Sequence, residues 1–166
     1  MMPRLDLADV SLHYETEGAG PPLLLIAGMV SDSASWAPLV APLAAHFTLL
    51  RPDNRATGRT RPLDAPTSLP GIAADAGALI EAAGHGPAHV AGHSMGGLAA
   101  MQLAVTRPDL VRSLTLMASL PRRMARNAFL FRTLAAMRGE GMPEDLWLRA
   151  LFPWLFHPAT FDAPEQ

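Results

Sequence analysis

Apolar positions near the N-terminus first alternate with polar ones and then close into unbroken runs. Leu5 and Leu7, followed by Val10, Leu12 and Tyr14, keep a period of two. That period predicts two short half-exposed strands joined as a hairpin. A turn cluster, Glu17 to Pro22, separates them from the continuous run Leu23 to Ala27, which suits a strand buried on both faces. Ser35 is expected to cap a helix from Trp36 to about Ala45, after which Phe47 to Leu50 returns as a buried strand. Ser68 is expected to cap a helix from about Pro70 to Ala83, stopped by Gly84. Ala88 to Ala91 reads as a buried strand. Leu98 to Val105 is helix-compatible up to Pro108, and Ser113 to Met117 is a further strand. Strands alternating with helices predict an α/β fold, a mostly parallel sheet with flanking crossover helices.

Beyond Ser119 the pattern changes. Helical stretches over about Met124 to Arg138 and Pro143 to Leu155 carry no strand between them. The chain is therefore read as a strand-bearing core over 1–119 and a helical segment over 120–166. Arg122, Arg123, Arg126, Arg132 and Arg138 fall on the first helical stretch, where the expectation is the solvated side of an amphipathic helix rather than an anion-binding surface.

Composition narrows the classes. A chain of 166 residues with 49% apolar and 17% charged residues has the material for one ordinary globular core. A net charge of −2 gives no electrostatic case for nucleic acid or an anionic membrane as partner. The start of the chain lacks the apolar core of a signal peptide, and the longest apolar run, Pro21 to Val30, is too short to cross a bilayer, so a cytoplasmic location is expected. There is no cysteine, hence no disulfide or thiolate metal site. All 13 basic residues are arginine. The absence of lysine excludes a phosphate-loop lysine, a Schiff-base lysine and a Ser-Lys dyad.

The candidate chemistry sits at Gly92-His93-Ser94-Met95-Gly96, between the strand at 88–91 and the helical run that follows. A Gly-x-Ser-x-Gly pattern at a sharp strand-to-helix turn is a nucleophile elbow, with the serine hydroxyl exposed at its tip. Gly92 and Gly96 remove the Cβ atoms that would collide where strand and helix nearly touch. The same glycines resemble a degenerate dinucleotide fingerprint. That motif, however, requires glycine where Ser94 stands and an acid some twenty residues on, where Met117-Ala118-Ser119 has none.

On these residues the chain resembles the α/β-hydrolase family. The likeness covers most of the chain and is strongest from Leu23 to Met117. It rests on Gly92 to Gly97, the apolar strand ending at Gly28, and Asp53-Asn54-Arg55-Ala56-Thr57-Gly58-Arg59-Thr60, similar to the family's Asp-x-Arg-Gly-x-Gly-x-Ser loop. Ala56 and Thr60 depart from that loop, and Ala27 stands where the family often has histidine.

The resemblance implies that Ser94 is the nucleophile of an acyl transfer to water, with the backbone N–H groups of Met95 and of Met29, just beyond Gly28, forming the oxyanion hole. His93 matches a frequent non-catalytic histidine. A serine argues against the branches with an aspartate nucleophile. The family's order places an acid and then a histidine after the serine. Downstream stand one histidine, His157, and the acids Asp109, Glu140, Glu144, Asp145, Asp162 and Glu165, none following an apolar strand. His157 is a minor candidate base, the alternative being a lid or surface histidine. His13, His46, His85 and His89 are expected to be structural. The family's sheet has about eight strands and about six are counted here. The expectation is a chain that stops within a helical lid, short of the catalytic acid and histidine, with an exposed sheet edge at 113–117 open to dimerisation or strand exchange. The expected function is a serine hydrolase acting on a small-molecule carboxylic ester, lactone or thioester, with no metal or organic cofactor. Peptidase, C–C bond hydrolase and cofactor-free peroxidase branches stay open. The alternative is a non-catalytic hydrolase-fold module that binds a ligand or partner.

Overall fold

The computed structural model describes residues 3–122 and 124–162; Arg123 and Glu165 lie outside the described residues. The chain divides into two compact units, Met1–Pro121 and Arg122–Gln166.

The first unit is built on one sheet. Its strands are β1 (Arg4–Asp6), β2 (Ser11–Glu17), β3 (Pro22–Ile26), β4 (Thr48–Pro52), β5 (Ala88–His93) and β6 (Val111–Met117). Their order is β1-β2-β4-β3-β5-β6. The first two strands form the expected hairpin, with Leu5 opposite Leu12, and β2 runs antiparallel to β4. The four strands from β4 to β6 are mutually parallel. Every residue of β3 is buried, because alternate side chains feed two cores. Leu24 and Ile26 pack with α2 (Leu69–Ala83) and α3 (Met95–Thr106). Leu23 and Leu25 join Trp36 and the apolar side of α1 (Ala37–Ala44) on the opposite face. Full burial of each such side chain contributes about 1.5–3 kcal/mol, which makes β3 the spine of the sheet.

Helix termini follow local chemistry where that chemistry is unique. The Ser68 hydroxyl accepts from the Gly71 amide, and Gly84 ends α2 in the left-handed conformation at φ +71°. The expected Ser35 cap is not formed. Asp32 caps a 3-10 turn over Ser33–Trp36 by accepting from the Ala34 amide, while Ser35 donates its hydroxyl proton to the Asp32 carbonyl. The helix proper begins only at Ala37, with no side-chain cap. Helix α3 likewise starts three residues before the Leu98 expected from periodicity, because Gly96 and Gly97 are helical despite their poor propensity.

The chain runs from β3 to β4 on one side and then crosses back over β3 to β5. The C-terminal ends of β3 and β5 therefore flank the crevice where an open parallel sheet reverses its winding, the usual place for a ligand. At the far edge, β6 has β5 as its one strand neighbour among the described residues, and Leu114 and Leu116 are 37% and 40% exposed.

The second unit holds α4 (Ala125–Gly139) and α5 (Glu144–Leu155). Trp147 donates its indole N–H to the Leu134 carbonyl at 2.8 Å, tying the helices together, and Leu134 and Leu151 are buried. The arginines of α4, Arg126, Arg132 and Arg138, are exposed, as expected of a solvated face, and each also has a local contact. Arg126 lies 4.5 Å over the Trp154 ring, Arg132 donates to the Ala128 carbonyl and Arg138 to that of Met142. No helix among the described residues is long and apolar enough to cross a membrane.

Candidate active site

Ser94 stands between the last residue of β5 and the first of α3, at φ +52° and ψ −117°. A non-glycine residue there stores on the order of 1–3 kcal/mol, so the surroundings must hold it. They do so on both sides of the residue. The Ser94 amide donates to the Met117 carbonyl at 2.9 Å, and its carbonyl accepts from the Gly97 amide at 3.0 Å. The Ser119 hydroxyl, just past the end of β6, lies 2.9 Å from the Ser94 carbonyl and 2.8 Å from that of Met117. Ser119 gave no signal in the sequence; only the pairing of β6 beside β5 brings it here.

The glycines around the serine are steric requirements. A Cβ on Gly92 would overlap the Gly96 carbonyl, and one on Gly96 would overlap the carbonyls of Ile26 and Ala27. Helix α3 thus starts directly against the end of β3. A Cβ on Gly28 would lie 3.4 Å from the Ser94 Cβ and 3.1 Å from the His93 Nδ1, so the loop after β3 touches the elbow. Ser94 is half-buried and His93 exposed.

Met29 and Met95 line one open cleft of about 690 Å³ beside the elbow. Among the described residues neither backbone N–H has an acceptor. Met95 opens α3, where the first amides are unsatisfied by construction and the helix dipole favours negative charge. Among the described residues the Ser94 hydroxyl itself makes no hydrogen bond to a side chain or carbonyl, and residues 95–121 contain no histidine. His157 lies in the second unit, exposed, where its Nδ1 accepts from the Ala159 amide at 3.3 Å. Among the described residues no three His, Asp or Glu side chains group as a metal site.

The 53–60 loop builds the other wall of the cleft. Asp53, fully buried, accepts from the Ser33 amide at 3.0 Å and from the Arg59 amide and Nε at 2.8 and 3.0 Å. Burial pushes its pKa up, but the Arg59 guanidinium and the two amides outweigh that and hold it at about 2. Asn54 donates to the Ala27 carbonyl at 3.0 Å, fixing the end of β3. Thr60, in place of the family's serine, keeps the hydroxyl. It donates to the Asp53 carbonyl at 2.6 Å and accepts from the His13 amide at 2.9 Å. Ala56, in place of glycine, takes φ +59°, a conformation that costs an L-residue about 1–2 kcal/mol. The His13 ring is buried with neither nitrogen hydrogen-bonded; burial and then Arg59 lower its pKa, against Asp53 and Glu15. Sequence reasoning placed the loop but missed Asp9, Asp32 and Asp75 as its companions, since acids so far apart along the chain carry no shared local pattern.

Known proteins share the fold that carries this site. The model of the alpha/beta hydrolase fold family matches residues 21–146. The protein named "Putative carbamate hydrolase RutD" in Azorhizobium caulinodans is 42% identical over 115 residues, covering 69% of this chain and 43% of its own length. The (E)-2-((N-methylformamido)methylene)succinate hydrolase of Acinetobacter baylyi is 33% identical over 130 residues, covering 77% of this chain and 49% of its own length. The crystal structure of a hydrolase from Pseudomonas aeruginosa superposes with a TM-score of 0.82 at 26% identity, over 99% of this chain and 62% of that one. The chain belongs to the α/β-hydrolase fold family. It spans less than half the length of these two curated relatives.

Proposed function

We propose that the chain carries the nucleophile and oxyanion hole of a serine hydrolase acting on a carboxylic ester, lactone or thioester. The Ser94 Oγ attacks the carbonyl carbon. The carbonyl π pair moves to oxygen, where the Met29 and Met95 N–H groups receive it, and its return expels the alcohol or thiol as the acyl-enzyme forms. Water then reverses the sequence, releasing the acid and restoring the hydroxyl. The proton leaving Oγ passes to a base and on to the leaving group; the fold's chain order puts that base C-terminal to the nucleophile. The observation that carries this reading is a serine held at positive φ at the tip of β5, beside two unclaimed amides. The curated relatives are named as hydrolases, one for a carbamate and one for a substituted succinate.

A second reading, a hydrolase-fold module that binds without turnover, is favoured by the Ser94 hydroxyl having no histidine partner among the described residues. Labelling with a fluorophosphonate separates the two. Stoichiometric modification that disappears in Ser94→Ala establishes the activated serine; no Ser94-dependent modification favours the binding module or an inactive fragment of the hydrolase.

A further inference from the structure

Polar groups on the cleft beside Ser94 can be counted proton by proton. Arg55 is the one cationic side chain lining it among the described residues. Its Nε donates to Asp75 Oδ2 at 2.8 Å, Nη1 to Asp9 Oδ2 at 2.9 Å and to the Pro66 carbonyl at 3.0 Å, and Nη2 to Asp75 Oδ1 at 2.7 Å and Asp9 Oδ1 at 3.3 Å. A guanidinium has five N–H donors, and all are engaged. Two carboxylates also more than offset its single charge.

Three of the four hydroxyls on the cleft are committed in the same direction. Ser35 donates to the Asp32 carbonyl at 2.7 Å, Thr67 to that of Ala65 at 3.1 Å and Thr57 to that of Arg55 at 3.4 Å. Each hydroxyl has one proton, so what these three offer a visitor is lone pairs. Asp32, half-buried on the same wall, accepts the Ala34 amide at 2.9 Å and has no ion-pair partner among the described residues. The Ser31 hydroxyl and the Ser31, Asp32, Ala56 and Gly58 amides have no acceptor among the described residues and remain donors, so what sets this cleft apart is the Asp32 carboxylate, a negative charge with no cation paired to it.

We infer that this cleft selects substrates whose portion beside the scissile carbonyl carries no negative charge (a neutral amide or an ammonium), and that Asp32 is the specificity-determining residue that rejects carboxylates. The inference rests on the reaction taking place at Ser94. Two like charges a few ångströms apart at a partly screened surface repel enough to weaken binding about tenfold.

The test uses the full chain carrying Ser94→Ala, which removes the chemistry and keeps the cleft. Butyramide, butylammonium and butyrate, of equal chain length, are titrated while the backbone amide resonances of Ser31 to Ser35 and Thr57 to Gly58 are followed by NMR. Butyramide and butylammonium are expected to shift these resonances saturably, with butyrate at least about tenfold weaker. Asp32→Asn retains a helix-capping oxygen. It is expected to weaken butylammonium about fivefold to tenfold and to narrow the gap between butyramide and butyrate. Butyrate binding as tightly as butyramide, a preference unchanged in Asp32→Asn, or no saturable shift from any of the three overturns the inference. Because Ser94 is absent from this experiment, failed labelling of the wild-type serine leaves its result standing, and the reverse holds too.

Discussion

Replacing Asp53 with asparagine keeps the shape of the side chain and removes its charge at the point where both cleft loops are anchored. The carboxylate holds the Ser33 amide from one loop and the Arg59 amide and guanidinium from the other. Folding lowers its pKa from 3.8 to about 2. At about 1.36 kcal/mol per pKa unit, that shift corresponds to about 2 kcal/mol of stability at neutral pH. Because the folded pKa lies below the unfolded one, this contribution is present above 3.8 and is lost as pH falls through about 2. Asp53→Asn is therefore expected to destabilise the protein by about 2–3 kcal/mol at pH 7, since the amide also turns an N–H₂ toward donors. The gap between wild type and variant is expected to close as pH drops from about 5 to about 2. Urea unfolding followed by far-UV circular dichroism across that range measures both. A gap below about 0.5 kcal/mol at pH 7, or one of equal size at both ends of the range, would refute the assignment of Asp53 as the charged anchor.

Two further outcomes follow from the site and the sheet. Ser94→Gly relieves a positive φ and adds chain entropy to the unfolded state, for a net gain of about 1 kcal/mol. The thermal midpoint should rise while fluorophosphonate labelling at position 94 is lost, and a lower midpoint sinks the strain argument. The outer edge of β6, with Leu114 and Leu116 more than a third exposed, should drive self-association that increases with concentration in sedimentation velocity and weakens in Leu114→Lys. A single monomeric species at every concentration speaks against that edge as a contact.

Local chemistry was written plainly in the residue order. The alternation in β2, the unbroken apolar run of β3, the Ser68 and Gly84 helix boundaries and the Gly-x-Ser-x-Gly turn each depend on neighbours within a few positions. Those features identified the fold family and pointed to Ser94. Where several residues competed for one local role, the sequence was ambiguous. Ser31, Asp32, Ser33 and Ser35 are all able to cap, and packing of Trp36 into the core accompanies the choice of Asp32. The periodicity also missed the true start of α3, because glycine's cost in a helix is outweighed by a backbone approach that no other residue permits.

Tertiary structure alone decided the rest. Arg55 meets Asp9 across 46 positions and Asp75 across 20, and Ser119 reaches the Ser94 carbonyl across 25. Hydrophobic period reports which face of an element is buried, but it does not say which distant charge or hydroxyl will be laid against that face. The order β1-β2-β4-β3-β5-β6 makes those meetings by setting β3 and β5 side by side. The turn that carries Ser94 was therefore legible from its neighbours, while the cleft beside it exists only once β3 and β5 lie side by side.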